Sequence, residues 1–159
     1  HEFTYEGYAH AGIAVMVEVA TDNKNRTVAE VRHVFSKGGG ALGESGSVSW
    51  MFERKGIITL PKQSKSEDEI MEIILDAGAD DLQNEDDFYE IQTTLETFEP
   101  VRKALANKNF NFENASLQWI AKNSVRVSGE DAEKVIKLIE ALEDLDDVQN
   151  VYSNADFDD

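Results

Sequence analysis

The sequence predicts an α+β protein of two domains: a split ferredoxin-like α+β domain with a second ferredoxin-like domain inserted in it. Three observations carry this. Apolar residues alternate with period two in some stretches and recur at helical spacing in others. The middle of the chain reads β-α-β-β-α-β. The flanking segments read β-α-(β)-β before it and β-α-β after it, the pattern of one domain interrupted by another. The expected ranges are 1–56 with 124–159 for the split domain, and 57–123 for the inserted one.

The elements follow in order. Ile13, Val15, Val17 and Val19 alternate with Ala14, Met16, Glu18 and Ala20, which reads as a strand. A polar turn covers residues 21–26. Thr27 and Glu30 have capping-box spacing, and Val28, Val31, Val34 and Phe35 share a helical face. This helix should stop at Gly38-Gly39-Gly40, with a short strand near Leu42. Residues 47–54 alternate again, which places Val48, Trp50 and Phe52 on one face of a strand, Trp50 and Phe52 in the core.

Residues 57–60 form an apolar strand ending at Pro61. Ser66 and Glu69 make a second capping box, ahead of the stripe Ile70, Ile73, Ile74 and Ala77. Gly78 sits where a left-handed residue ends a helix. Strands are expected at about 79–82 and 88–93, joined by a polar turn. A helix is expected at about 98–106, with Phe98, Val101 and Leu105 on one face. Pro100 should lie in its first turn, because a deeper proline removes a hydrogen bond. Residues 110–121 supply another strand, and Val125 and Val127 one more. Ser128 and Asp131 flank a helix whose stripe is Val135, Leu138, Ile139 and Leu142. Val148, Val151 and Tyr152 close the chain as a strand or extended arm.

The charge is unevenly spread. The 159 residues include 32 acidic and 15 basic side chains, for a net charge of −17. Residues 1–62 carry seven of each, so the whole excess lies in 63–159. A chain that coats phosphate along its whole length is excluded, since that needs cationic surface. The neutral third can still hold a local basic stripe. There is no cysteine, which excludes disulfides, thiolate metal sites and a cysteine nucleophile. The longest apolar stretch, 11–17, is far short of the ~20 residues of a membrane helix. No signal peptide is visible, so the sequons at Asn25 and Asn114 are expected to be unused. The first residue is not Met, which fits a fragment or a processed product.

Catalytic and metal motifs are weak. His1, His10 and His33 lack partners three or four residues away, so no helical zinc motif exists. There is no Gly-x-Ser-x-Gly elbow. Gly38, Gly40 and Gly43 match Gly-x-Gly-x-x-Gly, but a helix precedes and a strand follows, the reverse of a dinucleotide site. The loop is either a plain connection or bare backbone that meets a partner. The acidic runs 67–69 and 143–147 lack the ligand spacing of a calcium loop and read as a helix start and a solvated helix end. No enzyme activity, cofactor or metal is expected. What remains is Asp22-Asn23-Lys24-Asn25-Arg26, with Arg32, Lys37, Arg54 and Lys55. These suit phosphate contact at a helix start, or equally a turn rich in capping residues.

Longer blocks carry a resemblance. They are Tyr5-Glu6-Gly7-Tyr8, the run from Thr21 to His33, Phe35-Ser36-Lys37, Gly39-Gly40, Leu42-Gly43 and the run from Ser49 to Gly56. Gly129-Glu130-Asp131-Ala132, the run from Ala141 to Tyr152, and Asn154-Ala155-Asp156-Phe157 extend it. Together they resemble the YebC family. Residues 60–124 match mainly in element order. The resemblance implies a basic N-terminal helical domain followed by two α+β domains, one inserted in the other, and this chain begins where the second part would. Family members are described as DNA-binding transcriptional regulators, and some bacterial and mitochondrial members as translation factors on the ribosome. Asp22, Asn23, Asn25, Arg26 and Thr27 match the family's most distinctive block, and Arg32, Lys37, Gly39, Gly40, Trp50, Arg54 and Lys55 match others. Together with Lys24, and without Trp50, they are the expected nucleic-acid contacts. Two positions depart from the pattern: Ala9-His10-Ala11-Gly12 stands where members have Gly-Pro-Gly-Gly, and Gly38 replaces a polar residue or His.

The implied partners are ribosomal RNA or DNA, and the ribosome, with the N-terminal domain contributing to binding. No membrane partner is implied. The implied setting is cytoplasmic, or mitochondrial for an organelle-targeted member. The alternative is a small-molecule-sensing or protein-docking α+β module.

Overall fold

Strand pairing starts one element earlier than the hydrophobic pattern indicates. In the computed structural model, which describes residues 1–62 and 66–157, β1 (Glu2–Tyr8) pairs antiparallel with β2 (Ala14–Ala20). Residues 63–65 and 158–159 fall inside the expected domain ranges but lie outside the described residues. The sequence pattern hides β1 because its buried positions include Glu6 and Gly7. An apolar alternation search passes over a buried carboxylate. Ala11 (φ 63°) and Gly12 (φ 73°) both take left-handed backbone in the short turn between β1 and β2.

The chain divides into two compact units, His1–Glu53 with Ile120–Asp159, and Arg54–Trp119. In the first, α1 (Lys24–Lys37) follows β2 and ends at Gly38. It starts earlier than the Thr27 box implied. Asn23 is the N-cap, its side chain accepting from the Arg26 N–H at 3.1 Å. Both residues are good caps, and the earlier one adds just over a turn of helix. β3 (Ala41–Leu42) pairs with β1. Later come β8 (Val125–Val127), α4 (Gly129–Glu143), β9 (Val148–Ser153) and β10 (Ala155–Phe157). The main sheet has the order β3-β1-β2-β9, and β10 pairs parallel with β8 in a small second sheet. Val15, Val17 and Val19 of β2 meet Val31 and Phe35 of α1 and Val135, Leu138 and Leu142 of α4 in one core.

Residues 47–54 are not a continuous strand. Ser49–Met51 forms a 3-10 turn, and Trp50 is 65% exposed with its indole N–H donating to the Ser47 carbonyl at 3.0 Å. Only Val48 and Phe52 of the alternating set are buried. The turn wins because buried Glu6 takes the N–H groups of Gly46, Val48 and Ser49, which a strand would need for its ladder.

The second unit holds all but the first two residues of β4 (Phe52–Pro61), then α2 (Glu67–Ala77), β5 (Asp81–Asn84), β6 (Phe88–Thr93), α3 (Leu95–Asn107) and all but the last two residues of β7 (Asn114–Ala121). Its sheet has the order β5-β6-β4-β7, and both β4 and β5 pair antiparallel with β6. This is the ferredoxin-like split β-α-β arrangement. Ile58, Leu60, Tyr89 and Ile91 pack against Ile70, Ile74, Val101 and Leu105. Ser66 caps α2, and Gly78 ends it at φ 100°. Pro100 lies deeper in α3 than expected. Thr94 and Thr97 form a capping box that starts the helix at Leu95 and puts Pro100 in its second turn. Pro100 is exposed, so the hydrogen bond it removes faces solvent.

Candidate nucleic-acid interface

The charge of α1 is opposite to that of the chain. Lys24, Arg26, Arg32 and Lys37 stand against Glu30 alone. The helix has 14 residues, so it is ~21 Å long. Arg26, His33 and Lys37 follow one line at spacings of seven and four, and Asn25 and Arg32 lie beside it. The opposite face, Thr27, Val31 and Phe35, is buried. The outward line is therefore a necessary result of the fold, and it ends at the exposed Gly39 (φ 84°).

Not every expected contact residue is available to a partner. Asn23 caps the helix. Thr27 is buried, and its hydroxyl is 2.9 Å from the Thr21 hydroxyl and donates to an Asp147 carboxylate oxygen at 2.7 Å. The Arg26 guanidinium pairs with the same oxygen at 3.1 Å. Lys24 sits 4.8 Å from the centre of the Phe3 ring. Asp22, Asn25, Arg32 and Lys37 are exposed. Gly40 packs inward, because a Cβ there would stand 2.1 Å from the Tyr8 carbonyl oxygen. Arg54 and Lys55 belong to the second unit, where the Arg54 guanidinium is 5.2 Å from the Trp119 ring centre. The structure thus gathers Asp22, Lys24, Asn25, Arg26, Arg32, Lys37 and Gly39 on or beside one helix. It gives Asn23, Thr27 and Gly40 internal roles.

Asp147 corrects the reading of its acidic run as only a solvated helix end. The Thr27 hydroxyl and the Arg26 guanidinium hold its carboxyl below the usual range. A lowered folded value stabilises the fold above the ordinary value, near 3.8, and that contribution is lost as pH falls through the folded value. Asp147→Asn should therefore lower the melting temperature at pH 7 and flatten its fall below pH ~4. Parallel thermal melts of the two proteins across pH 2–7 check this, and superimposable pH profiles would contradict it. The sequence offered no signal that this acid, rather than Asp144 or Asp146, meets the helix start 120 residues earlier. Among the described residues, no group of three or more His, Asp or Glu side chains could hold a metal ion, and no helix is long and apolar enough to cross a membrane.

The model for the second and third domains of TACO1/YebC matches residues 1–155. The chain belongs to the TACO1/YebC family. It is 52% identical over 156 residues to the "Probable transcriptional regulatory protein CT1665" of Chlorobaculum tepidum, which covers 98% of this chain and 62% of that protein. It is 48% identical over 161 residues to a "Probable transcriptional regulatory protein" of Carboxydothermus hydrogenoformans, covering 99% and 66%. A crystal structure of the conserved hypothetical protein Aq1575 from Aquifex aeolicus superimposes with a TM-score of 0.90 at 46% identity, over all of this chain and 66% of that one. The chain therefore spans about 62% of the length of curated TACO1/YebC relatives such as the Chlorobaculum tepidum protein. The two-unit α+β architecture is shared with the Aquifex structure.

Proposed function

We propose that this chain supplies a nucleic-acid-facing surface to a non-enzymatic regulator of gene expression, acting in transcription on DNA, in translation on ribosomal RNA, or in both. The observation that carries the reading is the cationic, outward line of α1 in a protein of net charge −17. Lys24, Asn25, Arg32, Lys37 and the bare backbone of Gly39 are the direct contacts. Asn23, Arg26 and Thr27 hold the turn in the shape that presents them. The two units act as separate domains, and Arg54 and Lys55 add contacts from the inserted one. The relatives' names support a regulatory role, and residues outside the matched span of those longer proteins add to binding.

Lys24→Ala with Arg32→Ala is the test, made in this chain and at the equivalent positions of a full-length relative. Co-sedimentation with ribosomes and gel shifts on duplex DNA would be measured from 50 to 200 mM salt. The bound form should weaken about tenfold, and on duplex DNA the slope of log K against log salt should fall by ~1.8, for two lost phosphate contacts. Unchanged association on both targets would overturn the site. A protein-docking reading is favoured by one observation, the exposed Trp50 on a loop fixed by Glu6.

A further inference from the structure

At the C-terminal end of α1, a cavity of about 600 Å³ opens between that helix and α4. This is within the range of roughly 300–1,000 Å³ typical of small-ligand sites. Its floor is apolar, formed by Val34, Leu138 and Ala141. Gly38 lets α1 and α4 approach closely there, since a Cβ would come 2.7 Å from Leu138 Cδ1. Gly39 leaves the mouth without a side chain, its nearest neighbour for an added Cβ being His10 Nδ1 at 4.0 Å.

The rim is cationic. Lys37 comes from α1, and Lys134 and Lys137 come from successive turns of α4. None of the three makes a salt bridge among the described residues. Three ammonium groups without an ion pair around one opening, in so acidic a chain, fit a group carrying more than one negative charge. A phosphate monoester has about −1.5 to −2 at pH 7, a carboxylate only −1. Two imidazoles, His10 and His33, also line the cavity, and His10 is fixed by Asp131 at 2.6 Å. Apolar surface beside imidazole rings suits a nucleobase, which stacks on aromatic rings.

We propose that this cleft binds a nucleoside monophosphate unit, its phosphate between Lys37, Lys134 and Lys137 and its base on the Val34–Leu138–Ala141 floor. The inference deepens the nucleic-acid reading and rests on it for the source of the nucleotide, which is either one unit of an RNA strand or a free nucleotide. Lys134 and Lys137 lie outside the α1 contacts, so the two readings can fail separately.

The experiment is an NMR titration of the ¹⁵N-labelled chain with AMP, UMP, inorganic phosphate and a five-nucleotide single-stranded RNA. Saturable shifts are expected at residues 34–39 and 134–141 with the nucleotides or the oligonucleotide, and much weaker ones with phosphate alone. Saturation by the oligonucleotide alone identifies a strand as the source, and saturation by mononucleotides alone a free nucleotide. Lys134→Ala with Lys137→Ala should weaken this binding about tenfold or more. The same variant should melt within a few degrees of the unmodified chain, because both side chains are exposed. No saturable shift at these residues, equal shifts with phosphate alone, or undiminished binding in the folded variant would each overturn the proposal. If the cleft saturates while Lys24→Ala with Arg32→Ala leaves ribosome and DNA association unchanged, the cleft stands and the α1 reading falls. The reverse pattern removes only the cleft.

Discussion

Replacing Glu6 by Gln should destabilise the fold by about 2–4 kcal/mol while barely changing its shape. Glu6 is only 5% exposed. Its Oε2 accepts from the Gly46 N–H at 2.7 Å, and its Oε1 from the Val48 and Ser49 N–H groups at 3.0 and 2.7 Å. Glutamine offers one acceptor oxygen and one donor amide. Whichever way the amide turns, at least one of these three N–H groups faces another donor. Burial pushes the Glu6 carboxyl up, but these N–H groups and the Ser49 hydroxyl outweigh it, and the net direction is below the ordinary 4.5. The contribution to stability is therefore present above that value and lost as pH falls through the folded one. Urea unfolding at pH 7 and pH 3.5 should show a large difference between the two proteins at the higher pH and a smaller one at the lower. Amide exchange at Gly46, Val48 and Ser49 should accelerate in the variant. Equal stability at pH 7 together with unchanged exchange would refute the role given to Glu6.

Gly40→Ala is expected to cost about 3 kcal/mol. The added methyl would lie 2.1 Å from the Tyr8 carbonyl oxygen and 3.0 Å from Ala9 Cα. Both obstacles are backbone, so no rotamer change relieves them. β3 pairs with β1 just beyond, and the Gly40 N–H donates to the Phe35 carbonyl at 2.8 Å, so the helix exit would be displaced as well. Gly39→Ala provides the contrast. Its φ of 84° costs an alanine about 1–2 kcal/mol, but the methyl meets nothing closer than 4.0 Å. Denaturant unfolding of both variants should place Gly40→Ala well below Gly39→Ala. The opposite order would mean that the loop does not pack on β1 as described.

These two positions also explain which features were legible in the sequence. The helices and the β-α-β-β-α-β order of the second unit follow from apolar periodicity, and Ile70, Ile74, Val101 and Leu105 occupy the core as their spacing requires. Periodicity failed where polar groups replace apolar ones. β1 was hidden by its buried carboxylate, and the same carboxylate turned residues 49–51 into a 3-10 turn and left Trp50 in solvent. Helix starts differ from the pattern where two capping residues compete about a turn apart, as with Asn23 and Thr27. The candidate surface is visible in composition, since the basic line of α1 stands out in an acidic chain. Its division into exposed side chains and residues tied up internally is not, because the partner of Arg26 and Thr27 is Asp147, far away in the chain. The α4 lysines of the proposed cleft carry no signal in the sequence, for a related reason. Lys134 and Lys137 belong to a helix whose charge is mostly negative, and only the packing of α4 against α1 brings them to Lys37.

The α1 surface is tested most directly by ultraviolet crosslinking of a full-length relative to ribosomes and to duplex DNA, with the attached peptides mapped by mass spectrometry. Crosslinks should concentrate in the segment equivalent to residues 22–39 of this chain, on at least one of the two targets. Crosslinks on both targets that avoid this segment would contradict the account.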